Sequence, residues 1–206
     1  MGILSLAGKQ CIITGATGNI GFAIAQTFAS AGAAVTLVGR NESRLADKLR
    51  ELATQSPNIE HGGHRAVQEG ILTSADWRRI ISSGPPPDVL VNCAGVSQNL
   101  RILRVSETDA DEILDVNLKS AILAWLLGLT SALAVELAES GIRVNAIVPG
   151  YIETNMTKGL QTKFAQTIPL KRFGTAEEVA DAAAFLVRNE YANNCILTLD
   201  GGLSAV

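Results

Sequence analysis

The feature that most constrains the fold is the glycine-rich sequence TGATGNIG at residues 14–21, which directly follows a short apolar run. That run, residues 9–14, has the composition of a buried parallel strand. Residues 22–28 then place apolar side chains on one helical face and lead to Gly32, a common helix terminator. The pattern therefore predicts a strand, a tight glycine turn and a helix near the N-terminus.

Strand and helix signals alternate through the rest of the chain. Further strands are predicted at residues 34–38, 64–68, 88–92, 143–148 and 195–199, and further helices at residues 42–52 and 176–187. Such alternation is typical of a parallel sheet covered by helices on both faces. The chain has 206 residues, of which 47% are hydrophobic, and shows no internal repeat. We therefore predict an α/β, doubly wound parallel sheet in a single domain, residues 1–206.

The glycine turn has the spacing of a dinucleotide-binding loop. Gly15 permits a sharp turn, Gly18 lets the backbone approach a pyrophosphate, and Gly21 lets the helix pack against the strand. Free N–H groups at the helix N-terminus favour the anion. The alternative is a tight turn without a ligand. The predicted cofactor-binding residues of the loop are Gly15, Thr17, Gly18, Asn19, Ile20 and Gly21.

The end of the second predicted strand, Gly39-Arg40-Asn41, indicates which dinucleotide would bind. A carboxylate here would bind the ribose 2′-hydroxyl of NAD, and none is present. Arg40 is placed to pair with the 2′-phosphate of NADP. We therefore expect NADP(H) rather than NAD(H), with a solvated arginine at the start of a helix as the alternative.

Composition and charge restrict the other partners. A net charge of −3 gives no electrostatic reason to expect nucleic acid or an anionic membrane. Three cysteines without CxxC spacing favour free thiols, and His61 and His64 lack further ligands for a metal site, so we expect no metal. The first residues do not resemble a signal or transit peptide. We expect a cytoplasmic protein, with the mitochondrial matrix as the alternative.

Further motifs occur in an order that is specific to one family. They are NCAG at residues 92–95, VNAIVPGYIET at residues 144–154, IPLKRFG at residues 168–174 and DGG at residues 200–202. With the glycine loop they span nearly the whole chain. In these motifs the chain resembles the short-chain dehydrogenase/reductase family, and within it the β-ketoacyl-(acyl-carrier-protein) reductases most of all. The resemblance implies a Rossmann-like fold, NADPH-dependent reduction of a ketone to an alcohol by hydride transfer, and a place in fatty acid biosynthesis.

The resemblance also implies roles for individual residues. Outside the glycine loop and Arg40, the implied cofactor-binding residues are Asn92, Ala94, Gly95, Pro149, Gly150 and Thr154. The first three would line the adenosine and ribose, and the last three would flank the nicotinamide. Asn117 would hold a water of the proton relay, and residues 155–173 would form a mobile substrate lid.

Two departures from the family pattern concern the cofactor site. Asn19 stands where the family's TGxxxGxG pattern has its middle glycine, which leaves the TGxxGxxG spacing of the family's extended members. Asn tolerates left-handed backbone better than most residues, so we expect binding to survive. Glu69 and Gly70 follow the third predicted strand, where family members usually place an aspartate near the adenine. One cofactor contact is therefore expected to be weaker.

The third departure is a missing segment. In the family, a fifth strand carries the catalytic serine and the next helix carries Tyr-x-x-x-Lys. Here residues 115–120 run within a few positions into residues 127–137, so the resemblance implies an internal deletion of roughly 35–40 residues near residues 124–126. Neither Tyr151 nor Tyr191 has a lysine four positions later, and Ser131 lies beyond the family's lysine. Of the catalytic set, only Asn117 would remain.

The deletion has consequences for chemistry and fold. A positioned general acid contributes about 10²–10⁴-fold to a rate and an oxyanion donor about 10²–10³-fold, so we expect the chain to be inactive or nearly so. The sheet could close if the strand at residues 143–148 paired directly with that at residues 88–92. A helix over residues 107–140 would then overhang the sheet or break, for example at Gly128. The uncharged residues 120–135 are too short for a comfortable membrane span, and we expect two spliced packing helices instead.

Three interpretations stay open from the sequence. The first is a 3-oxoacyl-reductase-like enzyme by descent, acting on a small molecule or an acyl thioester if active. The second is a non-catalytic NADP-binding protein that associates with an intact paralogue. The third is an unstable truncated isoform or gene-model product. Assembly into homo- or hetero-oligomers is possible but is expected to be impaired, because the lost helices help to build the family's subunit interface.

Overall fold

The computed structural model describes residues 5–56, 63–69, 74–95 and 126–205. The strands in these ranges are β1 Gln10–Thr14, β2 Ala34–Gly39, β3 Arg65–Gln68, β4 Val89–Val91, β5 Ala146–Pro149 and β6 Ile196–Leu199. The α-helices are α1 Asn19–Ser30, α2 Glu42–Gln55, α3 Ser74–Ser82, α4 Leu126–Glu136, α5 Gln161–Phe164 and α6 Ala176–Arg188. Short 3₁₀ turns cover Ala138–Ser140, Ala165–Thr167 and Leu203–Ala205.

The predicted α/β class is confirmed, and the fold is Rossmann-like. β1 lies between β2 and β4 in a parallel four-stranded sheet of order β3-β2-β1-β4. Ile13 of β1 is opposite Leu37 of β2 on one side and Val91 of β4 on the other. β5 and β6 form a second parallel pair, with Ile147 opposite Leu197.

Direct pairing of the strand at residues 143–148 with the strand at residues 88–92, which would close the sheet, is not found among the described residues. Across the described ranges, β5 is hydrogen-bonded to β6 and not to β4, and the two belong to separate sheets. The two sheets are joined instead by helix packing. α1 packs along α6, and Val91 and Ile147 both pack against the buried cluster that contains Ala25 and Ala180. The helices therefore fix the positions of the two sheets without hydrogen bonds between β4 and β5.

α4 also differs from the expectation. Gly128 lies inside this helix rather than at a break. The helix ends at Glu136, and the chain then passes through a 3₁₀ turn to Gly141, which adopts a left-handed conformation with φ of 71°. Thr130 and Ala134 form the buried face of α4. Residues 107–125 of the proposed long helix, and the junction at residues 124–126, lie outside the described residues.

The cysteines fit the expectation of free thiols, since none forms a disulfide. Burial raises the pKa of the Cys11 thiol to about 12, so it stays protonated and acts as a packing residue. No helix in the described ranges is long and apolar enough to cross a membrane.

Candidate functional site

The glycine loop joins β1 to α1 and lies against the end of β4. Gly15 has a positive φ of 64°, and a Cβ added there would lie 2.5 Å from the carbonyl oxygen of Cys93. Thr14 Oγ1 accepts hydrogen bonds from the backbone N–H of Cys93 at 3.1 Å and of Ala94 at 3.3 Å. A residue other than glycine at position 15 would push these two strand ends apart.

The same loop leads directly into α1. The Gly18 N–H donates to Gly15 O at 2.9 Å, and a Cβ on Gly21 would lie 2.6 Å from the same oxygen. The predicted roles of Gly15 and Gly21 in the turn and in helix packing therefore agree with the geometry. Gly18 has a φ of −81°, so its use is the absence of a side chain on an exposed surface rather than left-handed backbone.

The N-terminus of α1 is suited to an anion. Gly18 caps α1 without a side-chain hydrogen bond, whereas Asn41 and Thr175 cap α2 and α6 with their side chains. The first turn of α1 contains no acidic residue. Its leading N–H groups precede the first helical bond, from Phe22 N–H to Gly18 O at 3.0 Å. Such N–H groups and the helix dipole favour a phosphate at this place.

Asn19 does not use the left-handed backbone that the sequence argument allowed for it. It is the first residue of α1, and among the described residues the non-glycine positions with positive φ are Lys171 and Asn194. Its side chain instead makes a tertiary contact: Asn19 Oδ1 accepts a hydrogen bond from the Asn155 N–H at 3.2 Å. This bond joins the glycine loop to the segment that follows β5.

Arg40 lies at the end of β2, beside the glycine loop. A Cβ on the preceding residue, Gly39, would lie 3.3 Å from Thr17 Cγ2, so the loop and the end of β2 are in contact. Arg40 is exposed, and its carbonyl accepts a bond from Gln68 Nε2 at 3.4 Å. The end of β2 that carries Arg40 thus lies beside the loop, where the ribose of a dinucleotide would lie.

The other predicted cofactor residues follow β4 and β5. Asn92, Ala94 and Gly95 are exposed at the carboxyl end of β4, where the Ala94 backbone lies beside Gly15. Pro149 ends β5, and the Gly150 N–H donates to Leu199 O at 2.9 Å. These residues all lie at the carboxyl ends of parallel strands, where α/β folds bind their ligands.

Thr154 belongs to a compact turn after β5. Its N–H donates to Thr157 Oγ1 at 3.0 Å, and the neighbouring Asn155 reaches Asn19. The structure therefore brings the Thr154 segment to the glycine loop, although the two are far apart in the sequence.

The predicted lid, residues 155–173, contacts the end of the β5 segment through Phe164 in its middle and Phe173 at its end. The ring of Tyr151 stacks on Phe164, with centroids 5.3 Å apart, and on Phe173, with centroids 5.0 Å apart. Ile152 forms a parallel bridge with Gly174, and the Gly174 N–H donates to Tyr151 O at 2.9 Å. The mobility of this segment stays a prediction.

Several residues named in the sequence analysis make other contacts or lie outside the described residues. Asn117 lies outside the described residues. Glu69, which follows β3 near the expected adenine site, forms an ion pair with Arg79 of α3. The Ser131 hydroxyl donates to Asn194 Oδ1 at 2.9 Å, so it ties α4 to the turn before β6. In the described part of the chain no cluster of three His, Cys, Asp or Glu side chains could hold a metal ion.

Two contacts of the site were not predicted. The sequence placed a threonine before Gly15, but its double acceptor role depends on where β4 ends. The Asn19–Asn155 hydrogen bond has no sequence signal, because it links residues that are 136 positions apart. A spacing rule within one motif cannot detect such a bond.

Comparison with known proteins places the chain among reductases. Residues 9–127 match the short chain dehydrogenase family, and residues 123–204 match the enoyl-(acyl carrier protein) reductase family. The chain is 30% identical over 244 residues to the 3-oxoacyl-[acyl-carrier-protein] reductase FabG of Chlamydia muridarum, covering 97% of this chain and 98% of that protein. It is 32% identical over 245 residues to the FabG of Thermotoga maritima, covering 97% and 99%.

A solved structure shows the same likeness. A putative 2-deoxy-D-gluconate 3-dehydrogenase from Agrobacterium tumefaciens, with bound NADP, superposes with a TM-score of 0.80 at 31% identity. The superposition covers 98% of this chain and 99% of that one. The sequence and structure comparisons therefore both find relatives that are similar over nearly the whole chain.

Proposed function

The chain belongs to the short-chain dehydrogenase/reductase family, and on that premise we propose that it binds NADP(H) but does not reduce ketones at a family reductase's rate. Its relatives support a reductase of the 3-oxoacyl-[acyl-carrier-protein] kind as the line of descent. The observation that carries the proposal is the contrast between a glycine loop that is closely packed at Gly15 and Gly21 and the absence of any Tyr-x-x-x-Lys in the sequence.

The glycine loop fits a dinucleotide. A Cβ at Gly15 or Gly21 would overlap neighbouring backbone atoms, so both positions require glycine. The N-terminus of α1 has no side-chain cap and is open to a pyrophosphate. Asn92, Ala94 and Gly95 would hold the adenosine side, and Pro149, Gly150 and Thr154 the nicotinamide side. When bound, NADPH supplies a hydride to a carbonyl carbon.

Arg40 supports NADP(H) over NAD(H). It is exposed at the end of β2 and can pair with a 2′-phosphate, for which a guanidinium is a strong partner. No carboxylate stands at residues 39–41 to bind a free 2′-hydroxyl. The bound NADP of the Agrobacterium tumefaciens relative is in keeping with this preference.

The proton-donating half of the reaction has no candidate among the tyrosines. Tyr151 is stacked between Phe164 and Phe173. Tyr191 is 98% exposed, beyond the end of α6. Neither has a lysine four positions later. Without a positioned acid and an oxyanion donor, a rate lower by at least about 10²–10⁴-fold is expected.

Two observations support the loss of an internal segment. The alignment with the Chlamydia muridarum reductase extends over 244 positions, which exceeds the 206 residues of the chain. The two family matches overlap at residues 123–127, around the proposed junction.

A second candidate function, a subunit that associates with an intact family member, is favoured by α4. Its outer face is apolar and accessible, with Val135 77% and Leu129 36% exposed. Exposed apolar surface of this kind promotes association. Co-expression with an intact reductase, followed by affinity capture of one partner and size-exclusion chromatography, tests this candidate. A chain that elutes alone would contradict it.

The proposed function is tested by binding and turnover on the same preparation. Calorimetric titration of the 206-residue chain should show NADPH binding tighter than NADH, while NADPH oxidation with a 3-oxoacyl thioester should stay near background. R40A should weaken NADPH binding about tenfold or more and leave NADH binding unchanged, because only the 2′-phosphate contact is lost. Turnover near that of a complete reductase, or an absence of NADPH binding, would overturn the proposal.

A further inference from the structure

We propose that Thr157 is a positioning residue that makes the hydroxyl of Thr154 a pure hydrogen-bond acceptor, so that this place selects a ligand group with an N–H donor. The inference rests on the proposed function, in which Thr154 flanks the nicotinamide, and it deepens that function. The group selected is the NH₂ of the nicotinamide carboxamide. Thr157 has no other assigned role than its place in the predicted lid.

The direction of the Thr157 hydroxyl proton follows from its shortest contact. Thr157 Oγ1 lies 2.5 Å from the carbonyl oxygen of Ile152. A carbonyl oxygen carries no hydrogen, so the Thr157 hydroxyl donates in this bond. The carbonyl oxygen of Thr154, 3.2 Å away, is a second acceptor for the same proton. A hydroxyl has one proton, and the Thr157 oxygen can therefore only accept from its remaining partners.

The remaining partners are two groups of Thr154. The Thr154 N–H donates to Thr157 Oγ1 at 3.0 Å, and the two hydroxyl oxygens are 3.3 Å apart. Since the Thr157 proton is directed to a carbonyl oxygen, the proton between the two hydroxyls is that of Thr154. The Thr154 oxygen keeps its lone pairs for a ligand and has no proton to donate. A polar group that binds to this oxygen must therefore be a donor.

The backbone on both sides of Thr154 is held in place. The Glu153 N–H donates to Gly174 O at 2.8 Å, and the Asn155 N–H donates to the glycine loop at 3.2 Å. The side chain of Thr154 is half-buried. The position of its hydroxyl is thus set by the fold, and Thr157 sets the direction of its proton.

The carboxamide of a nicotinamide ring offers both kinds of group. Its NH₂ donates and its carbonyl oxygen accepts, so either end suits a freely rotating hydroxyl. A Thr154 oxygen that only accepts selects the NH₂ end and thereby fixes the rotation of the carboxamide about its bond to the ring. A neutral hydrogen bond of this kind corresponds to about 3- to 10-fold in affinity.

The first test titrates the wild-type chain calorimetrically with three dinucleotides. NADP⁺ and its thionicotinamide analogue both carry the NH₂ donor, whereas the 3-acetylpyridine analogue has a methyl group in its place. We expect dissociation constants within about twofold for the first two and one that is about 3- to 10-fold larger for the third. Equal binding of all three would overturn the inference and leave the proposed function intact. Binding of none would overturn both.

Variants of the two threonines assign the preference for NADP⁺ over the 3-acetylpyridine analogue. T154V removes the acceptor and should abolish the preference. T157V removes the oxygen that holds the Thr154 proton, so the Thr154 hydroxyl can turn and donate to the acetyl carbonyl, and the preference should fall below about twofold. T157A is a second variant of the same kind without the bulk of valine. T157S retains the hydroxyl and is the matched control, with the wild-type preference.

A purely structural role of Thr157 predicts a different pattern. Damage to the turn would weaken the binding of all three dinucleotides by one factor and leave their ratios at the wild-type values. The double variant T154V/T157V should show the same ratios as T154V, because the proton that Thr157 directs is then absent. Thermal unfolding without ligand shows which variants are folded. Wild-type ratios in T157V or T157A, or a lost preference in T157S, would overturn the inference.

Discussion

Gly15 lies where the ends of β1 and β4 meet, and its lack of a side chain serves two separate needs. Its φ is 64°, and a Cβ would lie 2.5 Å from Cys93 O. Gly141 has a similar φ of 71° but nothing within 4 Å of a Cβ. A comparison of the two glycines therefore separates backbone strain from steric overlap.

We predict that G15A is destabilised more than G141A. G141A should lose about 1–2 kcal/mol of unfolding free energy from the left-handed backbone alone. G15A carries the same cost together with the overlap with Cys93 and Ala94, so it should also lose NADPH binding. Urea unfolding of both variants measures the difference. Equal losses would show that the contact between the loop and β4 is looser than the structure indicates.

His64, next to β3, is predicted to make stability depend on pH. Its Nδ1 accepts a hydrogen bond from the Val35 N–H at 3.2 Å, and burial lowers the pKa of the ring. A lowered pKa means that the folded state favours the neutral ring. The contribution of His64 to the free energy of unfolding is therefore complete above about pH 6.5 and is lost as pH falls below it. Protonation would also remove the acceptor of the Val35 bond.

The matched variant for this prediction is H64N, which can accept from the Val35 N–H and does not titrate. Between pH 7 and pH 5, the unfolding free energy of the wild-type chain should fall more steeply than that of H64N. Denaturant unfolding at several pH values measures both slopes. Parallel curves would show that His64 does not titrate with folding.

At the scale of single elements, the N-terminus of α6 depends on a capping box. Thr175 Oγ1 accepts from the Glu178 N–H at 3.2 Å, and the Glu178 carboxylate accepts from the Thr175 N–H at 2.8 Å. Arg172 also binds this carboxylate, and together these contacts lower the pKa of Glu178 to about 2. The box fixes the start of the helix that packs along α1.

We predict that T175A loses about 1 kcal/mol of unfolding free energy, the usual cost of losing a helix cap. T175S retains the hydroxyl and should lie within a few tenths of a kcal/mol of the wild-type chain. Chemical unfolding of the two variants measures the effect. A T175S variant as unstable as T175A would assign the loss to the threonine methyl group rather than to the cap.

The elements differ in how far the sequence determines them. β1, the glycine loop and α1 were predicted because a strand, its turn and its helix are adjacent in the chain. α3 was not predicted, since Ser74–Ser82 is short and polar, with Ile80 as its buried anchor. His64 is half-buried, and its hydrogen bond from the Val35 N–H joins two segments that are 29 positions apart. Contacts between distant segments decide these cases, and no local pattern encodes them.

At the scale of the whole molecule, the two sheets share a core without sharing hydrogen bonds in the described ranges. Direct pairing of β4 with β5 would have closed one sheet, but the two strands belong to separate sheets. Val91 and Ile147 nevertheless pack against one buried cluster, and α1 lies along α6. Helix packing therefore offsets the missing pairing, and both sheets can contribute residues to one cofactor site.

Thermal unfolding of the 206-residue chain with and without saturating NADPH tests the central claim most directly, namely that a chain lacking its catalytic segment retains the family's cofactor site. We predict one cooperative transition whose midpoint rises with NADPH, since ligand at 100 times its dissociation constant adds about 2.7 kcal/mol. The absence of a cooperative transition, or a midpoint that NADPH leaves unchanged, would contradict the account.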